Sequence, residues 1–331
     1  MPNGASSPLR AAVAALRFAR DSRSVRAMKL SVSDCQRFRR LLGALQDEIR
    51  AAVVAARARA GRRFARVAGV TAADTIYQVD RISEEAVLGW LEEHWPRDWP
   101  LELVMEGLPT GRTTVPRGTP VAATRLVCII DPIDGTRGLM YDKRSAWILA
   151  AVAPQRGART SLRDIVAAAM TEIPTSKQDR SDQFSAVRNG GVQASRVDLR
   201  TGRSQKLPVR LSRARDFDHG FVSFARFFVT GKVLTSRLEE AFWRRLRGTA
   251  RDDGALVFED QYISTGGQLA ELLLGHDRMI ADLRPLVHAR LRRRSALACH
   301  PYDICTELIL REAGGVVESP AGRPLDAPLD T

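Results

Sequence analysis

The chain has 331 residues, 44% of them apolar, and carries 51 Lys+Arg against 38 Asp+Glu for a formal net charge of +13. That length can bury a large core, as one intimate two-part unit or as two domains. The basic balance suits phosphates, nucleic acid or an acidic membrane as partners, but only 6% of residues are aromatic, which argues against a base-stacking platform.

Taken in order, residues 1–30 are rich in Ala and Arg with Asp21 as their only acid, and they read as an unstructured extension, although a transit peptide has a similar composition. From Asp34 to Ala60, Leu41, Leu42, Leu45, Ile49 and Val53 recur at helical spacing, with Ser33 or Asp34 as a cap. A second helix is predicted from Ser83 to Trp95, stopped by Pro96. Strands are predicted at 101–105, 126–130 and 146–153. Ile165 to Glu172 fits a short helix or a strand, with Pro174 favouring the strand. Arg188-Asn189-Gly190-Gly191 and Thr201-Gly202 are hairpin signals. Phe221 to Phe224 reads as a strand and Leu234 to Leu246 as a helix. Ser264 or Thr265 precedes an apolar run through Leu274 and can cap a helix there. A helix is predicted to open at Pro301, with Ile304, Cys305, Leu308 and Ile309 on one face and Gly314-Gly315 as its C-cap. Val316-Val317 would then begin a strand.

No run of about 18 apolar residues is present, so no membrane-spanning helix is predicted. Cys35, Cys128, Cys299 and Cys305 lack metal-ligand spacing and suit a reducing, cytoplasmic setting. The five histidines show no zinc pair. Lysine occurs only at 29, 143, 177, 206 and 232, so the basic excess is almost wholly arginine, which fits a coding bias better than a function. Arg292-Arg293-Arg294 reads as a solvated charge run.

The most informative segment is Asp131-Pro132-Ile133-Asp134-Gly135-Thr136. It sets two carboxylates at the end of an apolar strand, with a rigid Pro between them and a Gly-Thr turn behind. Ends of strands are where α/β sheets keep their sites, and hard divalent cations need such a fixed set of oxygens. The spacing alone is also ordinary turn chemistry. Likewise Asp303, at a helix start, is by itself no more than a cap worth about 1 kcal/mol.

Together and in this order, the Asp131–Thr136 segment and the segment His300-Pro301-Tyr302-Asp303 through Glu312-Ala313-Gly314-Gly315 resemble the inositol monophosphatase-like family of metal-dependent phosphatases. Val104-Met105-Glu106-Gly107 and Gln78-Val79-Asp80 resemble two weaker motifs of that family, and the likeness runs from about residue 34 onward. The resemblance implies an α/β fold, a layered αβαβα sandwich of two intimately packed halves: 31–200 with the Asp131 motif and 201–331 with Asp303. It implies that Glu106, Asp131, Asp134 and Asp303, with the carbonyl of Ile133, hold two or three Mg²⁺ ions. It implies that Asp80 and Thr136 orient the attacking water alongside Glu106. The amides of Gly135 and Thr136 would hold the phosphate, and Ser264, Thr265, Gly266 and Asp282 would face the substrate. The implied activity is Mg²⁺-dependent, lithium-sensitive hydrolysis of a small phosphate monoester such as an inositol phosphate, and the implied assembly is the homodimer that many members of the family form. Relatives acting on 3′-phosphonucleotides or sugar bisphosphates, and a turnover-deficient phosphate-binding protein, are the alternatives.

The chain departs from the family pattern in several places. Gly107 stands where a second Glu often follows the first, Tyr302 stands where Trp is common, and Leu139 where Phe is. The connection over 283–301 is longer and Arg-rich, and the resemblance implies a further strand and helix beyond Gly315.

Overall fold

The computed structural model describes residues 30–60, 67–70, 75–247, 256–293 and 299–331. The predicted N-terminal extension, apart from Leu30, lies outside the described residues.

Helix α1 spans Val32–Ala60. Asp34 in its first turn and Arg57 and Arg59 in its last complement the helix dipole. Phe38, Leu42, Leu45, Ile49 and Val53 form its buried stripe, each with no exposed surface. After a short antiparallel pair, β1 (Val67–Val70) and β2 (Thr75–Tyr77), helix α2 spans Gln78–His94. It begins five residues ahead of the predicted start, because Asp80 sits in its first turn and Ser83 Oγ donates to Asp80 O at 2.7 Å. Phe38 stacks on Trp95, centroids 5.9 Å apart, and meets Trp99 edge-on at 5.2 Å, which locks the two helices together.

The large sheet contains β3 (Leu101–Met105), β4 (Arg112–Val115), β5 (Leu126–Asp134), β6 (Ala146–Pro154), β7 (Ala167–Ile173), β8 (Arg180–Val187), β9 (Val192–Asp198) and β10 (Ser204–Lys206), in the order β10-β9-β8-β7-β6-β5-β3-β4. Neighbours are antiparallel except β3 and β5. The stretch 167–173 is a strand although three alanines open it: pairing on both sides, with β6 and β8, outweighs a modest helix preference. Both predicted hairpins form, with Asn189 at φ +56° and Gly202 at φ +69° taking the left-handed positions.

A smaller parallel sheet follows, β12-β11-β13, from β11 (Gly220–Phe224), β12 (Val257–Phe258) and β13 (Asp277–Ala281). The remaining helices are α3 (Thr136–Met140), α4 (Lys232–Arg247), α5 (Thr265–Leu273), α6 (Arg284–Arg290), α7 (Pro301–Ile304) and α8 (Glu307–Glu312). Helices α1 and α2 cover one face of the large sheet, and α5, α7 and α8 cover the other. Helix α5 also touches β13, so this helical layer lies between the two sheets. Phe242 of α4 packs on Phe224 of β11, centroids 5.4 Å apart, and α4 meets α6 to complete the outer layer. The result is the predicted α/β sandwich. Among the described residues no helix is long and apolar enough to cross a membrane.

Two predicted elements differ. The helix opening at Pro301 is broken at Cys305-Thr306 into α7 and α8. The break re-aims the chain: α7 lies against β5 and β6, whereas α8 lies against β7 and β8. Val316-Val317 does not form a strand. Val316 is 81% exposed, and the chain folds back through a Ser319–Gly322 turn with a single bridge from Glu318 to Pro324.

Gln46 is a fully buried polar link between α1 and the sheet. Its Nε2 donates to Ile148 O (3.2 Å) and Ala169 O (2.7 Å), and its Oε1 accepts from Thr171 Oγ1 (2.7 Å). Gln46→Ala leaves the Thr171 hydroxyl without its acceptor and opens a void, at a cost of roughly 2–4 kcal/mol. A fall of about 4–10 °C in the thermal midpoint is expected from calorimetry or circular dichroism.

Candidate active site

Along β5 the side chains alternate. Val127 and Ile129 enter the core shared with α5, α7 and α8, and Asp131 is next on that face. In a regular strand Asp134, three positions on, would point the opposite way. The register prevents this: Asp131 pairs with Leu149 and Asp134 with Trp147, so one extra residue is accommodated on β5. This bulge falls at Pro132-Ile133, where Pro has no N–H for the ladder. Both carboxylates therefore emerge on one face, and the Ile133 N–H, freed from pairing, donates to Asp131 Oδ1 at 3.0 Å.

Asp134 is held from across the interlayer core. Ser264 Oγ and the Gly266 N–H donate to its Oδ2 at 2.7 and 2.6 Å, and the Thr265 amide contributes a further bond. Ser264 also caps α5, accepting from Gly267 N at 2.9 Å. The close approach depends on glycine at two positions. A Cβ on Gly266 would lie 2.6 Å from Trp147 Cβ, and one on Gly135, whose φ is +92°, would lie 2.9 Å from Ile263 O.

Asp303 arrives on α7, its Oδ2 accepting from His300 N at 2.6 Å. Its capping role is real, and the same carboxylate faces the other two. Asp131, Asp134 and Asp303 each present an oxygen within 4.8 Å of the others'. Asp131 is 2% and Asp134 8% exposed. Glu106, just past β3, borders the group: Tyr302 Oη donates to its Oε1 at 3.5 Å, and its charge acts on both Asp131 and Asp303. Thr136 Oγ1 lies 2.9 Å from Ile133 O and 3.4 Å from Asp80 Oδ1.

The electrostatics follow from this crowding. Burial, then the charges of Glu106, Asp134 and Asp303, hold the Asp131 carboxyl well above the usual carboxylate range. Burial, then Asp134, raises Asp303 in the same way. Burial raises Asp134 only to about 6, because Gly266, Ser264 and Thr265 donate to it. Desolvated carboxylates facing one another repel unless protons or cations intervene. An all-oxygen donor set of this kind fits a hard divalent cation such as Mg²⁺.

The structure brings Asp80, Glu106, Asp131, Ile133, Asp134, Thr136 and Asp303 into one neighbourhood, with Gly135 at its turn. The remaining predicted residues have other contacts. Ser264, Thr265 and Gly266 direct donors at Asp134 instead of into open space. Asp282 is bound by Arg284, Nε to Oδ1 at 2.9 Å and Nη2 to Oδ2 at 2.5 Å. Arg284 itself was not anticipated from the Arg-rich 283–301 run. Its side chain is 12% exposed, its guanidinium lies 4.8 Å from the Phe227 ring centroid, and its charge lowers both Asp134 and Asp303. The one signal available in sequence is the Asp282-x-Arg284-Pro285 spacing, which sets an acid and an Arg at a helix start.

No family model matches the chain, and no curated protein matches it in sequence. Solved structures do. Fructose-1,6-bisphosphatase from Leishmania major superposes with a TM-score of 0.59 at 14% identity, covering 88% of this chain and 85% of that one. This is the fold of the inositol monophosphatases and fructose-1,6-bisphosphatases. The extragenic suppressor protein SuhB from Bartonella henselae gives a TM-score of 0.56 at 17% identity over 86% of this chain and 88% of that one. Inositol monophosphatase II from Staphylococcus aureus gives 0.55 at 12% identity over 87% and 84%.

Without a cation, the folded chain retains protons on Asp131, Asp134 and Asp303 that the unfolded chain releases near pH 4. Native carboxyls raised in this way contribute stability at low pH that is lost as pH rises from about 4 through about 6 and above. In chelator, the melting temperature of Asp131→Asn should therefore overtake the wild type across that window. Mg²⁺ should raise the wild type and leave the variant nearly unmoved. Parallel melting curves for the two proteins would contradict this.

Proposed function

We propose that this chain hydrolyses a small phosphate monoester, an inositol phosphate or similar polyol phosphate, with two or three Mg²⁺ ions. The observation that carries the proposal is the convergence of Asp131, Asp134 and Asp303 within one buried group, with Glu106 at its border. The named activities of the structural neighbours, inositol monophosphatase and fructose-1,6-bisphosphatase, support it.

In this proposal Glu106, Asp131, Asp134, Asp303 and the Ile133 carbonyl hold the ions. When bound, the ions offset the charge of the phosphate, acidify water and stabilise the leaving alkoxide. The protein orients the reactants. The Thr136 hydroxyl has one proton and two acceptors within reach, Ile133 O and Asp80 Oδ1. Turning that proton towards Asp80 leaves a lone pair to accept from the attacking water and to aim it. The amides of Gly135 and Thr136 receive the phosphate oxygens. Ser264, Thr265 and Gly266 fix Asp134, and Arg284 limits the negative charge that a phosphate meets on approach.

Phosphate release from a panel of inositol, sugar and 3′-nucleotide monoesters is expected with Mg²⁺ and not with chelator, with inhibition by Li⁺. Asp131→Asn and Asp303→Asn should lower kcat/KM by about a thousandfold, roughly 4 kcal/mol of transition-state stabilisation. Ser264→Ala, which removes a bond to a ligand without removing the ligand, should cost about 10–100-fold. Absence of Mg²⁺-dependent release from the whole panel, or full turnover by Asp131→Asn, would refute the proposal.

A further inference from the structure

Gly107 directly follows Glu106 and has a φ of +87°. A neighbour presses on its bare Cα: a Cβ built there would lie 2.0 Å from Glu84 Oε1 and 2.6 Å from Glu84 Cδ. The Glu84 carboxylate therefore occupies the volume in which a side chain at 107 would begin. Glu84 stands on α2 one turn after Asp80, on the same face of the helix. Its carboxylate packs against the backbone of the residue that follows Glu106, and the charge of Asp80 acts on it.

The one cation whose charge acts on this carboxylate among the described residues, Arg81, offsets it only in part. Among the described residues no hydrogen bond or ion pair reaches either of its oxygens, and Arg81, on the same helix, instead faces Glu85 at 4.0 Å. Burial raises the Glu84 carboxyl, the charge of Asp80 raises it further, and Arg81 lowers it without reversing the shift. A half-buried carboxylate set against another, with room made for it by a left-handed glycine, is unfavourable in the cation-free protein. The arrangement is accounted for if a cation is shared.

We propose that Glu84 is a further carboxylate of the divalent-cation centre, serving its Glu106 side, and that position 107 is glycine to admit it. The inference rests on the metal-binding reading above and assigns a residue which that reading did not contain. Helix α2 thereby contributes both Asp80 and Glu84 to the site.

The test uses the full chain and Mn²⁺ alone, followed by calorimetric titration and by electron paramagnetic resonance of the unbound ion. Glu84→Gln should weaken the most weakly held ion about tenfold or abolish its uptake. Glu84→Asp should fall between Glu84→Gln and the wild type. Glu85→Gln, at an exposed position on the same helix, should titrate like the wild type. Gly107→Ala should also weaken uptake by displacing the carboxylate, and should add no further loss in the Glu84→Gln background. Melting curves in chelator should place Glu84→Gln at or above the wild type, which separates loss of a ligand from loss of the fold. Should Glu84→Gln misfold, Glu84→Asp decides by the same titration. Wild-type uptake by Glu84→Gln, or equal losses in Glu84→Gln and Glu85→Gln, would overturn the inference. A wild-type chain that takes up no Mn²⁺ would instead overturn the proposed function.

Discussion

Mutual repulsion among buried carboxylates governs this structure. Asp131 and Asp134 are buried and Asp303 is partly buried beside them, so each has lost much of the water that normally stabilises a negative charge. The fold answers with donors that belong to other elements. The Ile133 amide serves Asp131, Ser264 and Gly266 serve Asp134, and the His300 amide serves Asp303. The Arg284 guanidinium adds a fixed positive charge nearby, itself held by Asp282. These partners moderate the cost of burial and of repulsion without removing it, since all three carboxyls remain raised, by burial above all. A residual of that sign is what would make the site receptive to a cation: an ion bound there would relieve strain already present in the folded protein.

The donors can be supplied because the site sits where the layers meet. Asp131 and Asp134 come from the sheet and Asp303 from α7, and the Asp134 donors come from the start of α5. The same apolar core that holds Val127, Ile129, Trp147 and Leu149 also takes in Tyr302, Cys305 and Leu269. Packing of that core therefore sets the distance between carboxylates that are distant in the chain. Loss of packing between sheet and helices would disperse the acids before it unfolded either element.

Much of this was legible in the sequence, for identifiable reasons. Strand β5 and helix α1 follow from apolar runs and periodicity, which are local properties. The hairpins follow from Asn189-Gly190 and Thr201-Gly202, where backbone conformation selects the residue type. The pair Asp131 and Asp134 stood out because Pro132 and Gly135 mark a turn. What could not be read is what depends on a partner far along the chain. The start of α2, the break at Cys305-Thr306 and the isolated Glu318–Pro324 bridge are set by what each segment packs against. The Ser264–Gly266 loop left two readings open, helix cap or substrate contact. Ser264 is the cap of α5, and the contact that neither reading contained is with Asp134, a geometry that depends on how α5 meets β6. Arg284 was hidden within a basic run because a buried arginine and a solvated one look alike without coordinates.

Glu84 and Gly107 show how one element can place a side chain where another element has none. A carboxylate is useful to a site through the position of its oxygens, and a neighbouring helix can deliver oxygens to a place the local strand leaves vacant. At 107 the chain has no side chain at all, and Glu84 reaches the same volume from α2. Two positions 23 apart are thereby coupled: any side chain at 107 must displace Glu84, and any shortening at 84 opens a void at 107. In the sequence alone the pair is a glycine after an acid and an unremarkable helical Glu. Only the shared volume shows that the two positions form one feature of the fold.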